Sequence, residues 1–142
     1  MMFQELLSYL KSLELYYKTA HWQVKNPIYY SDHLLLDRLS DESGKRIDEV
    51  AEKAIGVTGS VASVNLPEIL KKVYGCIKDC PYESNENSKY FEAALHLEEK
   101  LQQLCKQFDQ APETSVGVKN MLGDIADESE GRIYLLKQRL SK

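Results

Sequence analysis

Long apolar runs are absent from this sequence of 142 residues. No stretch approaches the roughly 20 consecutive apolar residues that a membrane-spanning helix needs, so we expect neither a transmembrane segment nor a membrane partner. The printed N-terminus also lacks the basic residues that precede the apolar core of a signal peptide. These absences favour the cytoplasm as the compartment.

Positively charged residues are slightly outnumbered by negatively charged ones. The chain has 18 lysines and arginines against 22 aspartates and glutamates, which gives a formal net charge of -4. Nucleic-acid binding depends on concentrated Lys and Arg that face phosphates, and neither printed end carries a Lys-rich run. The composition therefore argues against DNA as a partner.

Cysteine is rare, with three residues at Cys76, Cys80 and Cys105. An odd number of cysteines in a chain that has no secretory signal favours free thiols. The Cys76-x-x-x-Cys80 spacing suits a metal ion or a disulfide, but no second Cys/His pair completes a set of zinc ligands. The role of the three thiols stays open at this point.

Apolar residues at helical spacing are abundant. A hydrophobic content of 43% with 28% charged residues fits one soluble globular domain over residues 1–142. Apolar side chains recur every three or four residues in four segments, at about 3–24, 30–54, 88–108 and 116–139. Asn26-Pro27, the glycines from Gly56 to Gly59, and Ala111-Pro112 are the expected helix ends.

The connection between the second and third segments is long. It contains a short helical stretch from Leu66 to Val73, with Pro67 in its first turn, where proline is tolerated. A polar loop from Gly75 to Asn87 follows. Four long helices with one crossover predict an all-α four-helix bundle, with a short extra helix between helices two and three.

The stretch from His33 to Glu52 carries an unusual set of polar residues. It has no proline and one glycine, Gly44, so the spacing predicts one long helix. At about 100° per residue, Asp37, Asp48 and Glu52 lie roughly 40°, 20° and 60° around the axis from His33. One imidazole and three carboxylates therefore share a narrow stripe, for which a solvated acidic face is the alternative interpretation.

The stripe is too long for one metal ion. At about 1.5 Å per residue, Asp37 and Asp48 are about 16 Å apart along the axis, so each pair at spacing four makes half of a site. Two antiparallel copies would bring the His33/Asp37 end of one chain against the Asp48/Glu52 end of the other, which gives two equivalent sites. Gly44 stands near the midpoint, where the two backbones would approach most closely.

His21 lies near the end of the first predicted helix. In an antiparallel hairpin of the first two helices, this end would lie beside His33 and Asp37. Imidazole and carboxylate donors without a thiolate suit iron, manganese or zinc, although a lone histidine often has a structural role. The neighbouring Trp22 is either a core residue or a donor of an electron to a stray oxidant.

These residues match a known pattern. The runs His21-Trp22-Gln23-Val24, His33-x-x-x-Asp37 and Asp48-Glu49-Val50-Ala51-Glu52 resemble the ferroxidase signature of the Dps family of mini-ferritins in ligands and spacings. The resemblance implies a ferritin-like fold and a hollow dodecamer built from two-fold dimers. It also implies di-iron sites, with His21, His33 and Asp37 from one subunit and Asp48 and Glu52 from its partner.

The resemblance implies an activity as well. The family oxidises Fe²⁺, preferably with hydrogen peroxide, and stores the ferric product in an acidic cavity, so a ferroxidase with these substrates is expected. The position that often holds a pore-lining aspartate is Asn120 here, with Asp124 one turn later, which leaves the route of iron entry open. The Lys-rich extensions that many members use on DNA are missing from the printed sequence.

Two alternatives belong to other classes of site. A di-iron site inside each bundle would need Glu-x-x-His motifs, and the sequence has none, since Glu92 and His96 are four residues apart. A ferritin-like shell or nucleoid-associated protein would keep the metal site for a structural role only. The intact ligand set and the acidic charge argue against this second alternative.

Overall fold

The computed structural model describes residues 2–141 of the chain. Within this range it contains helices and no strand, which confirms the predicted all-α class. The elements are α1 (Met2–Gln23), α2 (Tyr29–Gly44), α3 (Ile47–Thr58), a 3-10 turn (Val61–Val64), α4 (Leu66–Ile77), α5 (Ser88–Gln110) and α6 (Val116–Leu140). No helix in these residues is long and apolar enough to cross a membrane.

The bundle consists of two helical hairpins. α1 packs against α2, and α5 packs against α6, while α4 lies across α1 in the crossover. The predicted apolar stripes of all four long segments point inward and form one continuous core. Its fully buried side chains include Leu6, Leu10, Leu13, Tyr17, Leu36, Leu39, Phe91, Leu101, Ile125 and Leu136. The short helix in the crossover is present as predicted.

The helix ends follow the sequence signals. Gly59 has a left-handed φ of 69° and donates its N–H to the Ile55 carbonyl at 2.8 Å, which closes α3. At the start of α4, the Asn65 side chain accepts the Glu68 N–H at 3.1 Å, and Pro67 stands in the first turn. These two ends bound the connection between α3 and α4.

The predicted single helix from His33 to Glu52 is wrong. α2 ends at Gly44 and α3 begins at Ile47, with Lys45 and Arg46 in a turn between them. Ser-Gly pairs are common at such irregularities, and the pair here is Ser43-Gly44. The angles predicted for Asp48 and Glu52 relative to His33 therefore do not follow, because they assume an unbroken helix.

The small residues before the break pack inside the chain. Ser40 and Ser43 are buried, and the Ser40 hydroxyl donates to the Glu14 carbonyl of α1 at 2.8 Å. A Cβ on Gly44 would overlap the carboxylate of Glu14. The hydrogen at Gly44 thus leaves room for the Glu14 side chain of α1 in the same chain, and the approach of two backbones at Gly44 stays a prediction.

Candidate metal centre at the α1–α2 corner

The hairpin of α1 and α2 brings His21 beside His33. Their rings stack with centroids 3.7 Å apart and an interplanar angle of 14°. Tyr29 extends the stack, with its ring centroid 4.9 Å from that of His33. The end of α1 and the start of α2 therefore meet as predicted, and we call the set His21, His33 and Asp37 the α1–α2 corner.

Reciprocal hydrogen bonds orient the two imidazoles. Nδ1 of His21 lies 2.6 Å from the His33 carbonyl, and Nδ1 of His33 lies 2.7 Å from the His21 carbonyl. Because a carbonyl oxygen can only accept, Nδ1–H is the donor in both rings. In the neutral rings Nε2 then carries the lone pair, which is the state that a metal ligand requires.

Asp37 is paired with a lysine. Lys18 Nζ lies 2.6 Å from Asp37 Oδ1, and His21 Nε2 lies 3.9 Å from the same oxygen. The hydrogen bond from the Lys18 ammonium holds the pKa of Asp37 below its usual value. The carboxylate therefore stays ionised, and Lys18 balances its charge.

The corner has a donor set suited to Fe²⁺. Two imidazoles and one carboxylate with open positions are the ligand type of non-haem ferrous sites. Nevertheless, no three His, Cys, Asp or Glu side chains within residues 2–141 already stand at metal-ligand spacing. At the corner, the Lys18 ammonium is the present partner of Asp37 Oδ1, at 2.6 Å.

Asp48 and Glu52 do not join the corner within one chain. Both side chains are exposed on α3, one turn apart. In the part of the chain that the structure describes, neither forms an ion pair, and Glu52 lines an open cavity of about 470 Å³. The structure thus brings three predicted ligands together and leaves the other two on a separate helix.

Trp22 is not a core residue of the chain. Its side chain is 68% exposed, so the interpretation of Trp22 as a packing residue is wrong within one subunit. Tyr30, Leu34 and Ile28 are also exposed nearby in the sequence, at the start of α2 and in the turn before it. Several large apolar side chains close in sequence to the two histidines are therefore exposed in one chain.

The interior of the bundle holds a separate polar cluster that the sequence analysis missed. Arg132 donates to both oxygens of Glu98, at 2.7 and 3.1 Å. Tyr17 donates to Glu98 at 2.6 Å, and Ser129 donates at 2.8 Å. We call these four residues the interior cluster. The signal in the sequence is a charged residue within each of two apolar stripes, on α5 and on α6.

The interior cluster argues against a metal site inside the bundle. Glu98 and Arg132 are 0% and 1% exposed, and the partners of both Glu98 oxygens are protein side chains. His96 follows Glu92 by four residues and so misses the Glu-x-x-His spacing; its side chain is exposed on α5. Both oxygens of this interior carboxylate are thus occupied by donors of the protein itself.

Similarity to known proteins agrees with this architecture. A family model described as the ferritin-like domain matches residues 2–142. DNA protection during starvation protein 2 of Deinococcus radiodurans is 36% identical over 74 residues, which cover 46% of this chain and 31% of the relative. The matched stretch thus spans about a third of the length of that relative.

Solved structures show the same fold. Dps from Thermosynechococcus elongatus superimposes with a TM-score of 0.83 at 21% identity, over 99% of this chain and 88% of that one. Dps92 from Deinococcus radiodurans gives 0.84 at 21% identity, over 99% of this chain and 84% of that one. Together with the family match over nearly all residues, this shows that the chain belongs to the ferritin-like domain family and has the fold of Dps structures.

Proposed function

We propose that this chain is a mini-ferritin that oxidises Fe²⁺ at di-iron sites shared between two copies and stores the ferric product. One observation carries the proposal. Nε2 of His21 lies 3.9 Å from Asp37 Oδ1, and the His33 ring stacked on His21 is likewise anchored through Nδ1, which leaves its Nε2 free. The remaining predicted ligands, Asp48 and Glu52, stand exposed on another helix, where they are available to a second chain.

Each residue has a distinct part in binding the ferrous substrate. Nε2 of His21 and of His33, with Asp37, supplies the two-imidazole, one-carboxylate set of one copy. Asp48 and Glu52 of the two-fold partner add negative charge that balances the ferric product. Lys18 must leave Asp37 when a cation arrives, because the ammonium and a metal ion repel each other at that oxygen.

The proposed reaction is a two-electron reduction of hydrogen peroxide. Two Fe²⁺ ions give one electron each, and with two protons the peroxide becomes two molecules of water. Hydroxyl radical, the product of a one-electron step, is thereby avoided. Trp22, exposed beside His21, is suited to reduce a stray oxidising equivalent.

The proposed assembly is a closed homo-oligomer, a dodecamer of two-fold dimers in the cytoplasm, with protection against oxidative damage as its role. The exposure of Trp22 at the end of α1 and of Tyr30 and Leu34 in α2 supports burial of these side chains against another copy. DNA binding is not part of the proposal, because the net charge of -4 disfavours contact with phosphates.

Ferrous oxidation by peroxide, followed in the near ultraviolet, tests the proposal. Replacing both Asp48→Ala and Glu52→Ala should reduce the rate to that without protein. Glu49→Ala, an exposed carboxylate on the same helix, is the matched control and should keep the wild-type rate. An unchanged rate in the double variant would show that the assignment is wrong.

Complementation tests whether the site is shared. A His21→Ala, His33→Ala variant and the Asp48→Ala, Glu52→Ala variant should each be inactive alone. When they are refolded together, each mixed dimer has one site with all five ligands, so activity should return. A site built within one chain would give no recovery.

A further inference from the structure

The turn that joins the two histidines of the α1–α2 corner lies on the surface of the chain. Every residue from 25 to 31 is exposed, so burial of apolar side chains contributes little to its position. The residue before α2, Ile28, has no side-chain oxygen with which to cap the helix. Asp32, by contrast, is 2% exposed. The position of His33 relative to His21 therefore depends on polar contacts at the ends of this turn.

Asn87, in the polar loop before α5, binds both ends of the turn. Its Oδ1 accepts the Lys25 N–H at 3.0 Å, and its Nδ2 donates to the Lys25 carbonyl at 2.8 Å. Nδ2 has a second hydrogen, which is directed at Asp32 Oδ2, 3.1 Å away. The Asn87 side chain is itself buried. One amide thus connects the chain just beyond α1 to the first turn of α2.

Arg139, near the end of α6, holds the same carboxylate through two hydrogen bonds. Its Nε lies 2.7 Å from Asp32 Oδ1, and its Nη2 lies 2.8 Å from Oδ2. The guanidinium also stands over the ring of the buried Phe91, 4.8 Å from its centroid. Burial of a lone carboxylate is costly, and these donors compensate for it. We call Asn87, Asp32 and Arg139 the turn clamp.

The loop before α5 makes further contacts along the turn. Gln23 Oε1 accepts the Glu83 N–H at 2.8 Å and the Tyr90 hydroxyl at 2.9 Å. Asn26 has a φ of 75°, a conformation that asparagine tolerates, and its Nδ2 donates to the Asn85 carbonyl at 3.2 Å. The second hairpin and the loop before it therefore hold the turn of the first.

We propose that Asn87, acting through the turn clamp, is a positioning residue for the α1–α2 corner. Asp32 is the chain neighbour of His33, so a displacement of Asp32 moves the carbonyl that anchors the His21 ring. The two crossed contacts are 2.6 and 2.7 Å long. A shift of about 1 Å at the start of α2 would take both beyond the usual hydrogen-bond range of about 2.7–3.2 Å.

The consequence for iron rests on the proposed function, whereas the effect on the imidazole rings does not. The partners that orient a metal ligand affect metal binding although they do not touch the ion. We therefore expect the turn clamp to act on the affinity for Fe²⁺ and not on the oxidation step that follows binding.

Nitrogen-15 NMR of the metal-free, sedimented protein tests the ring positions. The chain has three histidines, so the signals are few. In the wild type, His21 and His33 should each show a protonated Nδ1 and a free Nε2. In Asn87→Ala, the two nitrogen signals of each ring should move toward one another, because an unanchored neutral imidazole exchanges between its tautomers. His96, exposed on α5, is the internal reference and should not change.

Three variants accompany this measurement. Asp32→Asn keeps the shape of the side chain and should move the same signals, which covers the case that Asn87→Ala does not fold. Gln102→Ala removes a hydrogen bond to the Ala126 carbonyl between α5 and α6 and is the control for a general loss of stability. Ser84→Ala removes hydrogen bonds to Glu86 within the loop before α5. Both controls should keep the wild-type histidine signals.

Anaerobic titration with Fe²⁺ completes the test. Asn87→Ala should bind Fe²⁺ about tenfold more weakly, while the oxidation rate at saturating Fe²⁺ stays near that of the wild type. A mere loss of folded protein would lower the number of sites and leave the affinity unchanged. The proposal is overturned if Asn87→Ala and Asp32→Asn keep the wild-type histidine signals, if Gln102→Ala moves them equally, or if Asn87→Ala binds Fe²⁺ as the wild type does. Absence of Fe²⁺ binding in the wild type would count against the proposed function alone, because the NMR measurement uses no iron.

Discussion

The interior cluster and the α1–α2 corner use similar side chains in opposite ways. In the interior cluster, Glu98 accepts hydrogen bonds from Tyr17, Ser129 and Arg132 on both of its oxygens. No buried side-chain nitrogen or oxygen in residues 2–141 lacks a hydrogen-bond partner. At the corner, His21 and His33 satisfy only Nδ1 and leave Nε2 without a hydrogen bond in the described chain. The polar groups of the interior cluster are thus fully hydrogen-bonded, whereas each imidazole of the corner keeps one ring nitrogen free.

Three ion pairs of the chain differ in how far their side chains are exposed to solvent. The side chains of Arg132 and Glu98 are 2% and 0% exposed, and those of Arg46 and Glu128 are 24% and 21% exposed. Those of Lys18 and Asp37 are 33% and 42% exposed. Because water and salt screen exposed charges, the free energy lost when a pair is broken should fall in this order.

Breaking the interior cluster should have the largest effect. Glu98→Ala leaves the Arg132 guanidinium buried without a counter-charge, and we expect a loss of about 3–5 kcal/mol in the free energy of unfolding. Denaturant unfolding at fixed protein concentration measures it, since association also affects stability. The double replacement Glu98→Leu with Arg132→Met should recover only part of the loss, because it removes the buried charge but leaves the Tyr17 and Ser129 hydroxyls without their acceptor. A loss below about 1 kcal/mol for Glu98→Ala would contradict the contrast.

Breaking the Arg46–Glu128 pair at the α2–α3 break should lower the free energy of unfolding by an intermediate amount that depends on pH. Arg46 donates to both oxygens of Glu128 on α6, and Lys45 lies 3.2 Å from Glu128 Oε2. Burial would raise the pKa of Glu128, but these hydrogen bonds outweigh it and hold the pKa below its usual 4.5. The contribution of Glu128 to stability is therefore complete above pH 4.5 and is lost as the pH falls through the lower, folded-state pKa.

Arg46→Met tests this dependence. We expect it to lower the free energy of unfolding by about 1–2 kcal/mol at neutral pH, because a bidentate, partly buried pair is removed. The difference from wild type should shrink as the pH falls below 4.5. Arg38→Met, which removes the exposed pair with Glu42, is the control with little effect on stability. A difference that is constant with pH would exclude Glu128 as the cause.

The smallest effect on stability should come from the corner itself. Lys18→Met breaks a pair between largely solvated side chains, so we expect no measurable change in the free energy of unfolding. Ferrous binding should instead tighten, by less than about tenfold, because no ammonium competes for Asp37. Anaerobic titration with Fe²⁺ measures this change, and Lys18→Arg should leave the affinity close to that of wild type. Weaker binding in Lys18→Met would mean that the lysine assists the metal.

The fold and the corner were predictable because they depend on local signals. Helix ends at Gly59 and Pro67 follow from backbone preferences that act within a few residues. The meeting of His21 with His33 follows from a short turn, which forces neighbouring helices into a hairpin. These predictions needed no knowledge of side-chain packing.

The features that sequence analysis missed depend on distant partners. The helix break at Lys45 involves Ser40 and Gly44, which fit against Glu14 on another helix. Glu98 and Arg132 are separated by 34 residues, so the sequence shows two charges within apolar stripes but not their contact. His96 likewise comes beside the cysteine pair only through the register of α5 against the crossover.

The crossed hydrogen bonds of His21 and His33 have a consequence for how the proposed metal ligands become oriented during folding. Each ring is anchored to the main chain of the other residue, so the tautomer with a free Nε2 is held in both rings only once the two helices have docked. Hairpin closure and preparation of the nitrogen donors are therefore one event. Since the anchors are backbone carbonyls, replacing one histidine by alanine removes one donor and leaves the other ring's anchor in place.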